Sequence, residues 1–280
     1  VTQWEWDFDN DGTVDSTDQN PTYTYTSAGW YTVKLTISDG TNSETCVKNM
    51  YILVASNIWY VNGSGGDDAN GGTSWSDAFA TIGKALSVAG NYDLVLVADT
   101  RYDETNLNFN GRKTYLKGVD HNAEGARPVI DCQGSGRAFA FDSGETGDSV
   151  VDNFTIKNGS ADYGGAIYCE NSSPTLVNCV LRDNSASDYG GAIYCDASSP
   201  TITNCTFCGN RSGWHGGAIC CLNSSSPTIA NCVFSCQHIF SGNHADWDGG
   251  AIYCLASTLT VSNCVFNGNS TTNGNGGAIF

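Results

Sequence analysis

GGAIYC at residues 164–169 is the stretch that decides the fold, because close copies of it recur along the rest of the chain. Successive copies begin 26, 26, 33 and 27 residues apart, at Gly164, Gly190, Gly216, Gly249 and Gly276. A period of this length is typical of a solenoid, in which each repeat is one structural unit stacked on the next. We therefore expect each repeat to form one turn of a coil.

Three apolar positions recur at the same place in the repeats. Side chains that share a position in stacked coils should face the core together, about 4.8 Å apart along the axis. The predicted inward columns are Ile167, Ile193, Ile219 and Ile252; Leu176, Ile202, Ile229 and Val261; and Leu181, Phe207, Phe234 and Phe266.

An asparagine lies between two of these apolar positions, directly before a cysteine. Asparagine tolerates the left-handed backbone conformation that a sharp corner needs, and stacked amides can hydrogen-bond along the axis. We interpret this column as structural; its members are Asn178, Asn204, Asn231 and Asn263.

Most of the 13 cysteines follow the same repeat. Free cysteine behaves as a small buried hydrophobe, so stacked cysteines need neither a disulfide nor a metal, although disulfides would suit a secreted protein. The spacing does not fit a zinc site. Outside the columns, Cys208 could bridge to either Cys220 or Cys236, the second of which lies in the insertion CQHIFS. The two predicted columns are Cys169, Cys195, Cys221 and Cys254, and Cys179, Cys205, Cys232 and Cys264.

The composition favours β-structure and excludes two classes of partner. The 280 residues include 40% apolar and only 15% charged residues, and the net charge is −17. Such a charge repels nucleic acid and anionic membrane surfaces, so we expect neither as a partner. No apolar run is long enough to insert into a membrane, and cations are the natural counterparts.

A dense acidic stretch, DFDNDGTVDSTD at residues 7–18, precedes the repeats. Its residues match positions 1, 3, 5, 7, 9 and 12 of a twelve-residue calcium loop, with Gly12 at the sharp-turn position. Carboxylates this close would repel one another without a cation. The alternative is a solvated acidic turn. The predicted calcium ligands are Asp7, Asp9, Asp11, Thr13, Asp15 and Asp18.

The residues after this loop alternate with a period of two. The pattern predicts a strand through Tyr23 and Tyr25, a turn at Ala28-Gly29, and a second strand through Tyr31 to Ile37. Together with WEWDFDNDGTVD and NMYILV, this segment resembles a PKD domain, which implies an incomplete immunoglobulin-like β-sandwich over residues 1–55. One or two strands of that family are missing before Trp4, so a neighbouring molecule could supply one, or the chain is cut from a longer protein.

A capping segment at residues 57–90 is predicted next. Ser76 is the expected N-cap of an amphipathic helix with Ala78, Phe79, Ile82, Ala85 and Leu86 on its apolar face, and Gly90 should end it. This arrangement resembles the N-terminal cap of right-handed parallel β-helices of the pectate-lyase-like type. The resemblance implies an all-β chain: a PKD-like sandwich, then a right-handed parallel β-helix over residues 56–280, with a capping helix.

The GGAI repeats at residues 164–280, alternating with FxGN, also resemble those of chlamydial polymorphic outer-membrane proteins and related adhesins. This resemblance implies a secreted β-helix on a microbial cell surface.

Carboxylates that could catalyse are few. Glu170 and Asp196 occupy the same position in successive repeats, but no basic residue shares their column, and solvated turn carboxylates are the alternative reading. The histidines form no repeated pattern; they are His121, His215, His238 and His244.

An aromatic residue lies one or two positions before each of the first four GGAI copies: Tyr163, Tyr189, Trp214 and Trp247, which we call the aromatic ridge. Aromatic rings beside hydrogen-bonding side chains suit sugar binding. The same rings could instead cover the turns against one another. The neighbouring polar residues are Asp162, Asp188, His215, Asp246 and Asp248.

These observations favour a non-enzymatic, extracellular structural or adhesive protein of a microbial surface, with calcium as its cofactor. A specific version is a filament of copies of this chain, or an assembly with other surface proteins. The alternatives are a polysaccharide lyase or hydrolase and a carbohydrate-binding module.

Overall fold

The computed structural model describes residues 1–122, 125, 127–236 and 242–280, which form two compact units, Val1–Asn57 and Ile58–Phe280. His238 and most of the CQHIFS insertion lie outside the described residues. The first unit contains one antiparallel sheet, ordered β1-β2-β3, whose strands are β1 (Gln3–Asp7), β2 (Gly29–Ser38) and β3 (Ser43–Val54).

The predicted strand through Tyr23 and Tyr25 was wrong, since neither residue lies in a strand. The two tyrosines instead pack against the aromatic rings of Phe8 and Tyr31. The Tyr23 ring lies 4.6 Å from Phe8, the Tyr25 ring lies 4.2 Å from Tyr31, and the Tyr25 hydroxyl donates to the Phe8 carbonyl. Gly29 is the first residue of β2.

The second unit begins with a short capping region. A 3₁₀ helix spans Trp75–Asp77 and the helix α1 spans Ile82–Val88. Ser76 is not the N-cap of this helix; Thr81 is, because its hydroxyl accepts a hydrogen bond from the Lys84 backbone N–H. The residues of the predicted apolar face therefore lie partly in extended backbone and partly in the helix.

Two residues of that face, Ala78 and Phe79, precede the helix in extended backbone. Phe79 exchanges backbone hydrogen bonds with Tyr60 and Asn62, and its ring is buried. The helix itself buries Ile82, Ala85 and Leu86 against the first coil. Residues 78–79 thus lie along the edge of the first sheet of this unit and extend it, beneath the cap.

The remaining strands of the second unit pair in parallel, as a right-handed β-helix requires. They form sheet I (β26-β22-β18-β14-β10-β7-β5-β4), sheet II (β27-β23-β19-β15-β11-β8-β6), sheet III (β12-β16-β20-β24-β28) and sheet IV (β25-β21-β17-β13-β9). Their bounds are β4 (Ile58–Val61), β5 (Leu94–Ala98), β6 (Arg101–Tyr102), β7 (Tyr115–Val119), β8 (Val129–Asp131), β9 (Phe139–Phe141), β10 (Val150–Asp152), β11 (Thr155–Lys157), β12 (Ser160–Tyr163), β13 (Ile167–Glu170), β14 (Thr175–Val177), β15 (Val180–Arg182), β16 (Ser185–Tyr189), β17 (Ile193–Asp196), β18 (Thr201–Thr203), β19 (Thr206–Cys208), β20 (Arg211–Ser212), β21 (Ile219–Leu222), β22 (Thr228–Ala230), β23 (Val233–Phe234), β24 (His244–Ala245), β25 (Ile252–Cys254), β26 (Thr260–Ser262), β27 (Val265–Phe266) and β28 (Ser270–Thr271).

Each predicted apolar column is in register from coil to coil. Ile167 pairs with Ile193, Leu176 with Ile202, and the Phe207 and Phe234 rings stack 4.7 Å apart. These columns form one core that runs through the described part of the β-helix.

The predicted asparagine column lies at a corner between sheets I and II. All four members have positive φ, between 52° and 55°, as the sharp turn requires. The Asn204 amide donates to the Asn178 side-chain oxygen over 3.3 Å.

Candidate functional site

The aromatic ridge lies along sheet III, where each coil turns toward the next GGAI block. Tyr163 and Tyr189 end the paired strands β12 and β16. Trp214 and Trp247 follow β20 and β24, and the Trp247 backbone N–H donates to the Trp214 carbonyl. The parallel ladder therefore brings together four side chains that are far apart in the sequence.

The ridge rings form a continuous row with centroid distances of 5.8 Å, 6.2 Å and 6.4 Å from Tyr163 to Trp247. The rings do contact one another, as the alternative reading expected. Contact does not bury the row, however, because Trp214 is 49% exposed and Trp247 is 47% exposed. A contiguous row of exposed aromatic rings, unlike a single exposed ring, indicates a contact surface.

A second aromatic column, which we did not predict, supports the ridge from sheet IV. It contains Tyr168, Tyr194, Cys220 and Tyr253, and its centre is buried. The signal was present in the sequence: the tyrosine of GGAIYC falls between two inward positions and so must point outward. Burial raises the pKa of Tyr194, and burial with the Glu170 hydrogen bond raises the pKa of Tyr168 to about 12.

His215 connects the ridge with this second column. Its ring is stacked between Tyr189, at 5.6 Å, and Tyr253, at 4.3 Å. Its Nδ1 accepts the Asp248 backbone N–H over 3.1 Å. Burial lowers the pKa of His215, opposed by the nearby Asp248 carboxylate. A neutral ring that accepts at Nδ1 fits both observations.

The acidic residues beside the ridge have partners of their own. Asp162 accepts the Ser187 hydroxyl, and the Asp188 carboxylate raises the pKa of Tyr163. Asp246 lies 3.2 Å from both Arg211 and His244. The ridge therefore has ordered hydrogen-bonding groups on its flanks, which a hydroxyl-rich ligand would need.

The two candidate catalytic carboxylates lie side by side on sheet IV. Glu170 is in register with Asp196 on the adjacent strands β13 and β17. Glu170 accepts the Tyr168 hydroxyl over 3.1 Å, and Asp196 accepts the Asn223 amide over 2.6 Å. Both carboxylates are thus engaged at the surface by neighbouring side chains.

The acidic loop of the first unit brings three of its predicted ligands together. One oxygen from each of Asp7, Asp9 and Asp15 lies within 4.8 Å of the others. The carboxylates of Asp11 and Asp18 are not members of this group. Asp11 instead accepts the Thr13 backbone N–H over 2.7 Å, and the Asp18 carbonyl accepts the Trp6 indole N–H.

The structure places both predicted cysteine columns inside the coil as free thiols. Cys169, Cys195 and Cys221 are in register, and the Cys179 backbone N–H contacts the Cys205 sulfur at 3.4 Å. Of the two possible bridges, the disulfide joins Cys208 to Cys236, while Cys220 is a buried free thiol.

The geometry defines a class of protein: a parallel β-solenoid with an exposed aromatic row, preceded by a small antiparallel β domain. The chain belongs to the right-handed beta helix family, whose model matches residues 129–280. A PKD domain model matches residues 1–54, so the predicted PKD domain and the predicted right-handed β-helix are both confirmed. No curated protein and no solved structure matches the chain.

This pair of domains fits an extracellular surface or adhesive protein. The β-helix is also consistent with pectate-lyase-like folds. Among the described residues, no helix has the length and apolar character needed to cross a membrane.

Proposed function

We propose that this protein is an adhesive component of a microbial surface that binds glycans through the aromatic ridge. The observation that carries the proposal is the pair Trp214 and Trp247, which are about half exposed on successive coils with their rings 6.4 Å apart. Aromatic side chains supply large contact area at low entropic cost, and sugar rings have apolar faces that pack on them.

The surroundings of the ridge support this proposal. The buried column behind it packs against two of the ridge rings: Tyr194 lies 5.2 Å from Tyr163, and Tyr189 packs against the same buried cluster. His215 and the flanking carboxylates offer hydrogen bonds at fixed positions. A preformed surface of this kind loses little conformational entropy on binding.

The test is binding of the full chain to insoluble polysaccharides, with the double variant Trp214→Ala/Trp247→Ala. We expect the wild type to be retained on at least one polysaccharide and the double variant to lose at least tenfold in affinity. Tyr51→Ala is the matched control, because Tyr51 is an exposed aromatic residue of β3 in the other unit. Equal retention of the wild type and the double variant would contradict the proposal.

Polysaccharide cleavage is the second candidate function, favoured by the in-register pair Glu170 and Asp196. Two adjacent carboxylates can act as acid and base or nucleophile on a glycosidic bond. Release of soluble products from a polysaccharide, abolished in Glu170→Gln and retained in Glu44→Gln, an exposed glutamate of β3 in the other unit, would support it. Binding without product release would favour the adhesive function.

We also propose that Asp7, Asp9 and Asp15 hold a calcium ion that stabilises the first unit. Three carboxylates with oxygens in mutual reach fit the oxygen ligands that calcium prefers. Asp7 already accepts the backbone N–H groups of Asp11 and Gly12, which positions its carboxylate for the group. When bound, the cation would offset the mutual repulsion of the three charges.

Assembly into filaments is the particular form of the structural role that we propose. The supporting observation is β3, a mostly exposed twelve-residue strand at the edge of the described three-stranded sheet. An unpaired edge can add a strand from another molecule. Electron microscopy with calcium and after chelation tests this: ordered filaments that loosen on chelation support it, and single particles in both conditions contradict it.

A further inference from the structure

A polar groove of about 670 Å³ lies on the second unit, beside the start of sheet III. It spans several coils at the corner where strands of sheet II lead into β12 and β16. None of its lining side chains is apolar, so it does not suit a hydrophobic ligand. Its charged and polar lining includes Arg101, Asp131, Lys157, Asn158, Ser160 and Asp183.

Asp131 organises one wall of the groove. Its side chain is only 3% exposed, and it accepts hydrogen bonds from the Lys157 ammonium, at 3.0 Å, and from the Asn158 amide, at 2.8 Å. The Arg101 guanidinium lies 3.3 Å from the same carboxylate. Three side chains thus converge on one buried acceptor, and the Arg101 Nε also donates to Asp103 over 2.6 Å, so the groove's polar groups are preorganised for a ligand.

The charges of the groove balance. Arg101 and Lys157 contribute two positive charges, and Asp131 and Asp183 contribute two negative charges. A balanced set of fixed donors and acceptors does not select a strongly charged ligand. It suits hydroxyl groups, each of which both donates and accepts. The chemistry therefore points to a neutral sugar.

The groove and the aromatic ridge lie at opposite ends of the same strands. Ser160 begins β12 and lines the groove, whereas Tyr163 ends β12 and belongs to the ridge. Ser160 and Tyr163 are three residue steps apart in the strand, which corresponds to about 10 Å. Between them the surface is polar, with the Ser187 hydroxyl donating to Asp162.

We propose that the groove and the ridge are two ends of one binding surface for a linear neutral oligosaccharide that crosses sheet III. The inference rests on the proposed glycan-binding function. It adds the class of ligand and the direction in which the sugar chain lies across sheet III. A disaccharide would occupy one end, and a longer chain would contact both.

Two variants and one control test the groove without disturbing the ridge. Arg101→Gln removes a side chain that is 54% exposed and leaves Asp131 paired with Lys157. Asn158→Gly removes the amide at a position with φ of 56°, which glycine adopts without strain. Lys117→Gln removes the same charge from a side chain outside the groove that is 42% exposed.

The probes are the disaccharides and hexasaccharides of the cello-, xylo- and manno- series, with binding to the full chain measured by calorimetry. We expect the hexasaccharide of at least one series to bind the wild type at least tenfold more tightly than its disaccharide. Arg101→Gln and Asn158→Gly should each reduce hexasaccharide affinity about tenfold, the loss expected for one hydrogen bond to a charged or fixed polar group. Lys117→Gln should bind as the wild type.

The outcomes separate the two proposals. If Trp214→Ala loses affinity while both groove variants bind the hexasaccharide as the wild type, the groove inference is overturned and the ridge function stands. If the groove variants lose affinity and Trp214→Ala does not, the groove binds sugars by itself, and both the ridge function and the inference of one continuous surface are overturned. If the wild type binds no hexasaccharide, the inference is overturned. Matching thermal unfolding curves of all variants confirm that each is folded.

Discussion

The Asn210 side-chain amide donates a hydrogen bond to the Asn243 side-chain oxygen over 2.8 Å, with both residues fully buried. The same arrangement links Asn184 to Asn210 and Asn243 to Asn269, at 3.0 Å and 2.9 Å. This buried asparagine ladder is distinct from the predicted column at the other corner. Each amide satisfies backbone groups of the adjacent coils that would otherwise be buried without partners.

Removal of one member should destabilise the β-helix strongly. Asn210→Ala leaves the Asn184 backbone N–H and the Leu181 carbonyl without their partner. Buried unsatisfied groups cost about 1–3 kcal/mol each, so we expect the two together to lower the free energy of unfolding by about 2–6 kcal/mol. Urea titration followed by circular dichroism measures it. Ser187→Ala is the control: Ser187 is exposed, so this substitution should change stability little. A similar loss of stability in both variants would contradict a stabilising role of the asparagine ladder.

Substitution of a corner asparagine should change the stability of the protein through the backbone conformation that the new residue favours, and not through lost burial. Asn231 is exposed, has a φ of 54°, and donates its backbone N–H to Ser262. Asn231→Ala should cost about 1 kcal/mol because alanine resists the left-handed conformation, whereas Asn231→Gly should be nearly neutral. Chemical denaturation of the two variants decides this. A glycine variant less stable than the alanine variant would show that the amide matters more than the backbone.

The internal thiols should resist modification while the protein is folded. Burial and the adjacent Asp131 raise the pKa of Cys132 to about 12, and burial raises that of Cys220. Since the thiolate is the reactive form, alkylation near pH 8 should modify the exposed Cys46 first and the buried ladder cysteines only after unfolding. Mass spectrometry after timed labelling identifies the sites. Rapid labelling of Cys195 or Cys205 in the folded chain would disprove this picture.

Calcium should bind with an affinity that depends on the carboxylate group and stabilise the first unit. We expect Asp9→Asn to weaken binding at least tenfold, because it removes one of three charged ligands. Asp18→Asn is the control, since its carboxylate lies outside the group. Calorimetric titration of the full chain gives both affinities, and an ion at 100 times its Kd would add about 2.7 kcal/mol of stability. Equal affinity of Asp9→Asn and the wild type would exclude this site.

Acid should weaken the region around His215. Because the folded pKa lies below the unfolded value of about 6.5, the unfolded chain takes up the proton more readily. Stability from this residue is therefore present above pH 6.5 and decreases as the pH falls toward the folded pKa. His215→Phe keeps an aromatic ring between Tyr189 and Tyr253 but cannot titrate.

The free energy of unfolding of this variant should fall less than that of the wild type between about pH 7.5 and pH 5.5. Comparison of the two slopes cancels the contribution of the other histidines. Parallel slopes would show that folding does not shift the pKa of His215.

The repeat period determined much of this protein from the sequence alone. Residues that share a position, such as Ile167 and Ile193, must stack because every coil has the same length and the strands pair in register. The same repeat placed Cys169 in the core and Asn178 at a corner, because each residue keeps its position in every coil. The acidic and aromatic clusters were equally visible as patterns.

Tertiary structure alone decided which of several compatible contacts form. The partner of Cys208 was open because Cys220 and Cys236 are both nearby in sequence, and only the folded coil brings Cys236 within bonding distance. Thr81 displaced Ser76 as the helix cap because Phe79 is held in extended backbone by the adjacent coil. The groove at Asp131 unites residues from separate coils that share no motif. Local patterns fix which residues repeat, but long-range packing fixes which polar groups meet, because those contacts depend on the coil closing around one core.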